Sequence, residues 1–197
     1  MKEAPYRVCE EKQFRVIIDS DVCAEADDQF AIVHQLMTPK FDVKGIIACN
    51  LGQGRGDDTV SMSVREAETI LDCMEITDVP VLRGSEYPLE DEKTPRNSEG
   101  AGFIIEEAKK EDPRPLCVAC QGPLTNVASA ILLCPEIADR LTVVWTGGGA
   151  YPNGGFEPNL FGDIAAANAV FSSEAEIWQV PVNVYSKMTI SFAELFN

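Results

Sequence analysis

Apolar runs of strand length alternate along this chain with segments whose apolar residues recur every three or four positions. Val16-Ile17-Ile18 is the first run. Phe30, Val33, Leu36 and Met37 then fall at helical spacing and predict a helix over about 28–37, which Pro39 ends. Val43 to Cys49 reads as a second strand. A glycine-rich turn at 52–56 follows, and Val60, Val64, Ala67, Leu71 and Met74 predict a helix over about 57–74. Val79 to Leu82 is a short strand, 83–97 a loop, and about 99–110 a helix carrying Phe103, Ile104 and Ala108. Pro115 to Cys120 is a strand and Thr125 to Leu133 a helix that Pro135 stops. Leu141 to Trp145 is a strand, 147–162 a loop, Asp163 to Phe171 an alanine-rich helix, and Ile177 to Tyr185 a last strand broken by Pro181. Residues 191–197 begin a further helical pattern.

Six strands thus alternate with five helices. Each parallel crossover needs a helix, so strict alternation with apolar strands predicts an α/β fold: an open, mostly parallel, doubly wound (Rossmann-like) sheet with helices on both faces. The chain of 197 residues is enough for one domain with a sizeable core. In such sheets ligands bind beyond the carboxyl ends of the strands, where the winding reverses. With strand order 3-2-1-4-5-6, strands one and four meet there, and the loops 19–28 and 121–125 flank the crevice.

Charge narrows the partners. With 16 basic and 32 acidic residues the net charge is −16, which opposes nucleic acid and anionic membrane surfaces and favours small molecules and cations. Met1 to Tyr6 lacks the apolar core of a signal peptide, and no apolar run approaches the roughly 18 residues that span a bilayer. Seven cysteines, several in apolar runs, fit a reducing compartment, so a cytoplasmic protein is expected. Cys117 and Cys120 have redox-motif spacing but lie within a strand, where a packing role is expected.

The chemistry concentrates at the end of the first strand. Asp19, Asp21, Glu25, Asp27 and Asp28 place five acids within ten residues. Crowded carboxylates stay ionised only if water enters or a cation binds. Helix capping accounts for Asp27 and Asp28, which the helix dipole favours, but leaves Asp19 and Asp21 unexplained. An EF-hand is excluded, because Phe30 or Ile32 falls where its bidentate glutamate belongs. The turn Gln121-Gly122-Pro123-Leu124-Thr125-Asn126 reads as punctuation with Thr125 as a cap, and it could also offer a main-chain carbonyl to a hard cation. Gly52, Gly54 and Gly56 do not make a dinucleotide fingerprint, because its third glycine falls on Asp57. His34, the single histidine, lies too far along its helix to form a Ser-His-Asp site with these acids.

Asp19-Ser20-Asp21 followed by Asp27-Asp28-Gln29-Phe30-Ala31-Ile32 resembles the N-terminal signature of the calcium-dependent nucleoside hydrolases of the inosine/uridine-preferring type. Gly45 to Asn50, Gly122 to Asn126, the glycines 147–149 and Glu157-Pro158-Asn159 resemble further motifs of that family, in its order. The resemblance implies that Ca2+ is held by Asp21, Asp28 and the main-chain oxygen of Gln121, and that Asp21 is also the general base. It implies that Asp27, Asn50, Glu157 and Asn159 hold ribose hydroxyls, with Asn153 as an additional asparagine. The implied substrate is a small-molecule ribonucleoside, cleaved to ribose and free base.

The loop between Asp21 and Asp27 is two residues longer than the family's common form, which resembles a divergent branch and leaves the preferred base open. The resemblance covers the family's first two thirds, without its later calcium-binding aspartate and leaving-group histidine. The expectations are therefore a C-terminally incomplete domain, weakly held metal, self-association as a homo-oligomer, and little or no turnover by the chain alone. Two other readings stand beside this one. Asp19-Ser20-Asp21-Val22 also resembles the first motif of haloacid-dehalogenase-type phosphatases, with Asp19 as nucleophile, Asp21 as acid/base and magnesium as cofactor. The chain could also be an inactive ribose- or calcium-binding module.

Overall fold

The computed structural model describes residues 6–52 and 54–195. Six strands, β1 (Phe14–Ser20), β2 (Phe41–Ala48), β3 (Val81–Arg83), β4 (Leu116–Cys120), β5 (Thr142–Thr146) and β6 (Glu176–Val180), form one sheet in the order β3-β2-β1-β4-β5-β6. Every pairing is parallel. The winding reverses between β1 and β4, where Asp19 stands opposite Cys120.

The helices are α1 (Asp27–Leu36), α2 (Thr59–Cys73), α3 (Glu99–Lys109), α4 (Thr125–Leu133), α5 (Pro158–Gly162), α6 (Ile164–Phe171), α7 (Val182–Tyr185) and α8 (Phe192–Leu195). Side chains alternate across β1, as the strand period of two requires. Val16 and Ile18 pack with Ile32 of α1 and with Ala67, Ile70 and Leu71 of α2. Ile17 joins Ile104 of α3, Val127 and Ala128 of α4 and Val170 of α6 in the larger core on the opposite face. Both faces being buried is why the strand reads as unbroken apolar sequence. The same alternation places Asp19 on the α4 side and Ser20 on the α1 side.

Three expectations need correction. The predicted strand over 177–185 stops at Val180: Pro181, which has no N–H to give a ladder, precedes the helical turn α7. The loop 147–162 contains the short helix α5, entered through Glu157, whose side chain accepts from the Leu160 N–H, and Pro158 at its first position. Thr125 does not cap α4. Its hydroxyl donates to Asp163 Oδ2 at 2.7 Å, and Asp163 in turn caps α6 by accepting from Ala166 N–H at 2.9 Å.

Two expectations touch undescribed residues: Gln53 within the 52–56 turn, and 196–197 in the final helical pattern. Among the described residues, all seven cysteines are free thiols, with Cys49, Cys120 and Cys134 buried, and no helix is long and apolar enough to cross a membrane.

Candidate active site

The polar residues gather beyond the carboxyl ends of β1, β2, β4 and β5. Asp19 is 1% exposed. Its Oδ1 accepts from the Asn126 side-chain amide at 3.0 Å, while Oδ2 is buried with no hydrogen-bond partner. Burial raises its pKa to about 7 against the opposing pull of that amide and of the Cys49 thiol. The main chain of β1 continues the ladder one step further, since Gln121 N–H donates to Asp19 O at 2.8 Å.

Asp21 lies just past the strand, also buried. Its carboxylate rests on the β4–α4 turn: a Cβ added at Gly122 would stand 2.9 Å from Asp21 Oδ1 and 2.8 Å from Cys49 Sγ. Only a glycine lets this turn approach so closely. Burial pushes the Asp21 pKa well up, and the neighbouring charge of Asp28 pushes it further.

Asp28 belongs to the first turn of α1, where the helix dipole favours it. Ser20 Oγ donates to its Oδ1 at 2.8 Å. Burial again dominates and raises the Asp28 pKa to about 7, with the Ser20 hydrogen bond opposing and Asp27 adding to the rise. Asp27 itself is exposed at the mouth.

From the β4 and β5 sides, Asn159 Nδ2 donates to the main-chain oxygens of Gln121, at 3.1 Å, and of Thr146, at 2.8 Å. It ties together the loops that follow the two strands. The Gln121 side-chain Oε1 is buried without a partner. Glu157 is 1% exposed. Its Oε2 accepts from Gly148 N–H at 2.7 Å and Leu160 N–H at 2.8 Å, and its Oε1 from the Tyr185 hydroxyl at 2.9 Å.

Asn50 is tied into its own loop, donating to Ser85 O at 3.1 Å and accepting from Gly52 N–H at 3.0 Å. Each end of that amide keeps one further hydrogen-bonding position. Asn153 is exposed on the 150–154 turn, and none of the contacts above reaches it.

Among the described residues, no three His, Cys, Asp or Glu side chains are grouped to hold a metal ion. What the crevice offers is two buried carboxylates, the Asp28 charge raising the proton affinity of Asp21, beside the Gln121–Gly122 main chain. An oxygen-only donor set of this kind suits a hard cation, which takes carboxylates, carbonyls and water alike.

Three supporting residues carried no role in the sequence reading. Ser20 and Asn126 hold Asp28 and Asp19 respectively. The alternation of β1 sets Ser20 on the α1 side and Asp19 on the α4 side, which is the signal the sequence offered for their partners. Tyr185 was hidden by the reading of 177–185 as a strand.

Residues 16–196 match the family model described as inosine-uridine preferring nucleoside hydrolase. The chain is 31% identical over 199 residues to the probable uridine nucleosidase 2 of Arabidopsis thaliana, an alignment covering 86% of this chain and 59% of that protein. It is 27% identical to the pyrimidine-specific ribonucleoside hydrolase RihA of Salmonella arizonae, with 91% of this chain and 64% of that one covered. The fold is that of the purine-preferring ribonucleoside hydrolase from Gardnerella vaginalis, with a TM-score of 0.74 at 24% identity, covering 91% of this chain and 64% of the other. The chain therefore spans less than two thirds of the length of these relatives. On the match over 16–196, the chain belongs to the inosine-uridine preferring nucleoside hydrolase family.

Proposed function

We propose that this protein hydrolyses the N-glycosidic bond of ribonucleosides, giving ribose and the free base, with Asp21 as general base. The observation that carries the proposal is the pairing of Asp21 and Asp28, two buried carboxylates whose charges oppose each other at the switch point of the sheet. Family membership and the relatives named for uridine or pyrimidine nucleosides support the substrate class.

Asp21, Asp28 and the Gln121 carbonyl would hold Ca2+, the resident cofactor of this reading. Bound there, the ion would supply charge that offsets the repulsion between the two carboxylates and would lower the pKa of a water. Ionised Asp21 accepts a proton from the attacking water as the water oxygen bonds to the anomeric carbon. The C–N bond breaks toward the base, and positive charge developing on the sugar is stabilised by the surrounding carboxylates. Asp27, Asn50, Glu157 and Asn159, with Asn153 at the rim, hold the sugar hydroxyls. A hydroxyl donating to an ionised carboxylate is worth about 1.5–3 kcal/mol.

The phosphatase alternative requires Asp19 to attack a phosphoryl group. Asp19 is 1% exposed, with one oxygen held by Asn126, so it is poorly placed as a nucleophile. The assay is ribose release from inosine, uridine and related nucleosides in calcium, run beside phosphate-ester hydrolysis in magnesium. Ribose release supports the proposal. Phosphate release that is lost in Asp19→Asn, without ribose release, overturns it.

A further inference from the structure

The turn α7 ends on a phenol that closes the hydrogen-bonding of Glu157. Tyr185 O–H donates to Glu157 Oε1 at 2.9 Å, while Oε2 is taken by the N–H groups of Gly148 and Leu160. A carboxylate offers roughly four lone-pair positions, so these three donors leave about one, on Oε1. The phenol is fixed by its backbone. Tyr185 N–H donates to Pro181 O at 3.1 Å, and Val182 N–H donates to Gly148 O at 3.0 Å, anchoring the turn to the same glycine that holds Glu157. Burial, the Glu157 hydrogen bond, and the charges of Glu25 and Asp27 all push the Tyr185 pKa up, so it remains a protonated donor.

We infer that Tyr185 is a positioning residue for the sugar: by filling one acceptor position of Glu157 Oε1 it leaves a single position for one substrate hydroxyl, and so sets discrimination against nucleosides lacking that hydroxyl. The inference rests on the proposed ribonucleoside site. A nucleoside without the hydroxyl leaves a buried carboxylate oxygen short of a donor, which is how a polar site rejects a deoxy analogue. Without the phenol, Oε1 has two open positions, and water can satisfy it whichever nucleoside is bound.

The test is equilibrium binding of inosine and its 2′-, 3′- and 5′-deoxy analogues to the full chain in calcium, for the wild type and Tyr185→Phe, with thermal melts of both. The expected result is a loss of about fivefold to tenfold in inosine affinity, a size consistent with weakening one charge-assisted hydrogen bond. One deoxy analogue should bind both proteins within about twofold, since the interaction it lacks is the one the substitution disturbs. An equal loss for all four ligands would show a merely structural tyrosine, and no loss for any would show none is needed; either overturns the inference while leaving the ribonucleoside reading intact. If the wild type binds none of the four, that reading fails and the inference with it.

Discussion

Asn126, in the first turn of α4, donates its side-chain amide to Asp19 Oδ1 at 3.0 Å, across 107 residues of sequence. The Asn126 Oδ1 at the other end of the amide accepts from Ser85 N–H at 2.8 Å and from Ser98 Oγ at 3.1 Å. One fully buried side chain thereby fixes the end of β1, the loop after β3 and the start of α3.

Replacing Asn126 by alanine strands a buried carboxylate and a buried N–H together. The expected cost is about 3 kcal/mol of folding stability, the size associated with unsatisfied buried polar groups, read from urea unfolding. Asn126→Asp, which sets a second carboxyl against Asp19, should cost more at pH 8 than at pH 5.

The raised pKa values of Asp19 and Asp28, each about 7, and of Asp21, fix the sign of a pH dependence. The native state holds protons that the unfolded chain has already released near pH 4, so without metal the stability falls as pH rises from about 5 to 8. Melting temperatures in a chelator should decline across that window. Calcium, binding the ionised pair, should restore more stability at pH 8 than at pH 5, and Asp28→Asn should abolish most of the calcium-dependent gain. A metal-free protein that becomes steadily more stable from pH 5 to 8 would contradict this electrostatic description.

Self-association is a further expected outcome. Among the described residues β6 is an edge strand of the sheet, and Trp178 on it is 60% exposed, with Met188 at 88% and Phe192 at 80% beyond it. An open strand edge beside apolar side chains invites pairing with a second chain. Light scattering over a concentration series should show mass above that of a monomer. Trp178→Lys should lower it without moving the melting temperature by more than a few degrees.

The alternation of strands and helices in a parallel sheet was legible from sequence, because fully buried parallel strands leave unbroken apolar runs and each crossover leaves a 3.6-residue period, whereas the strand order was taken as the common one for such sheets. The gathering of acids at the end of β1 was legible too: Asp19 and Asp21, which helix capping leaves unexplained, lie buried at the strand end with Asp28. Tyr185 was not. Val182 and Val184 continue the alternation of a strand, and only the missing N–H of Pro181 and the capture of Val182 by Gly148 turn the chain into α7. The helix α5 was masked by its glycine-rich surroundings, although Glu157-Pro158 carries the cap and first-turn proline of a helix start. Neither Asn50 nor Asn126 declares its loop-binding role locally, because the partners Ser85 and Asp19 lie 35 and 107 residues away.

The most direct measurement is calcium-dependent ribose release from uridine and inosine by the wild type and by Asp21→Asn, at matched protein concentration. A base positioned on the attacking water contributes about 10²–10⁴ in rate. Release that requires calcium, however slow, and falls by about that factor in Asp21→Asn while the fold survives, is the predicted result. Release indifferent to chelator or to Asp21→Asn would contradict the assignment of Asp21 and of the reaction.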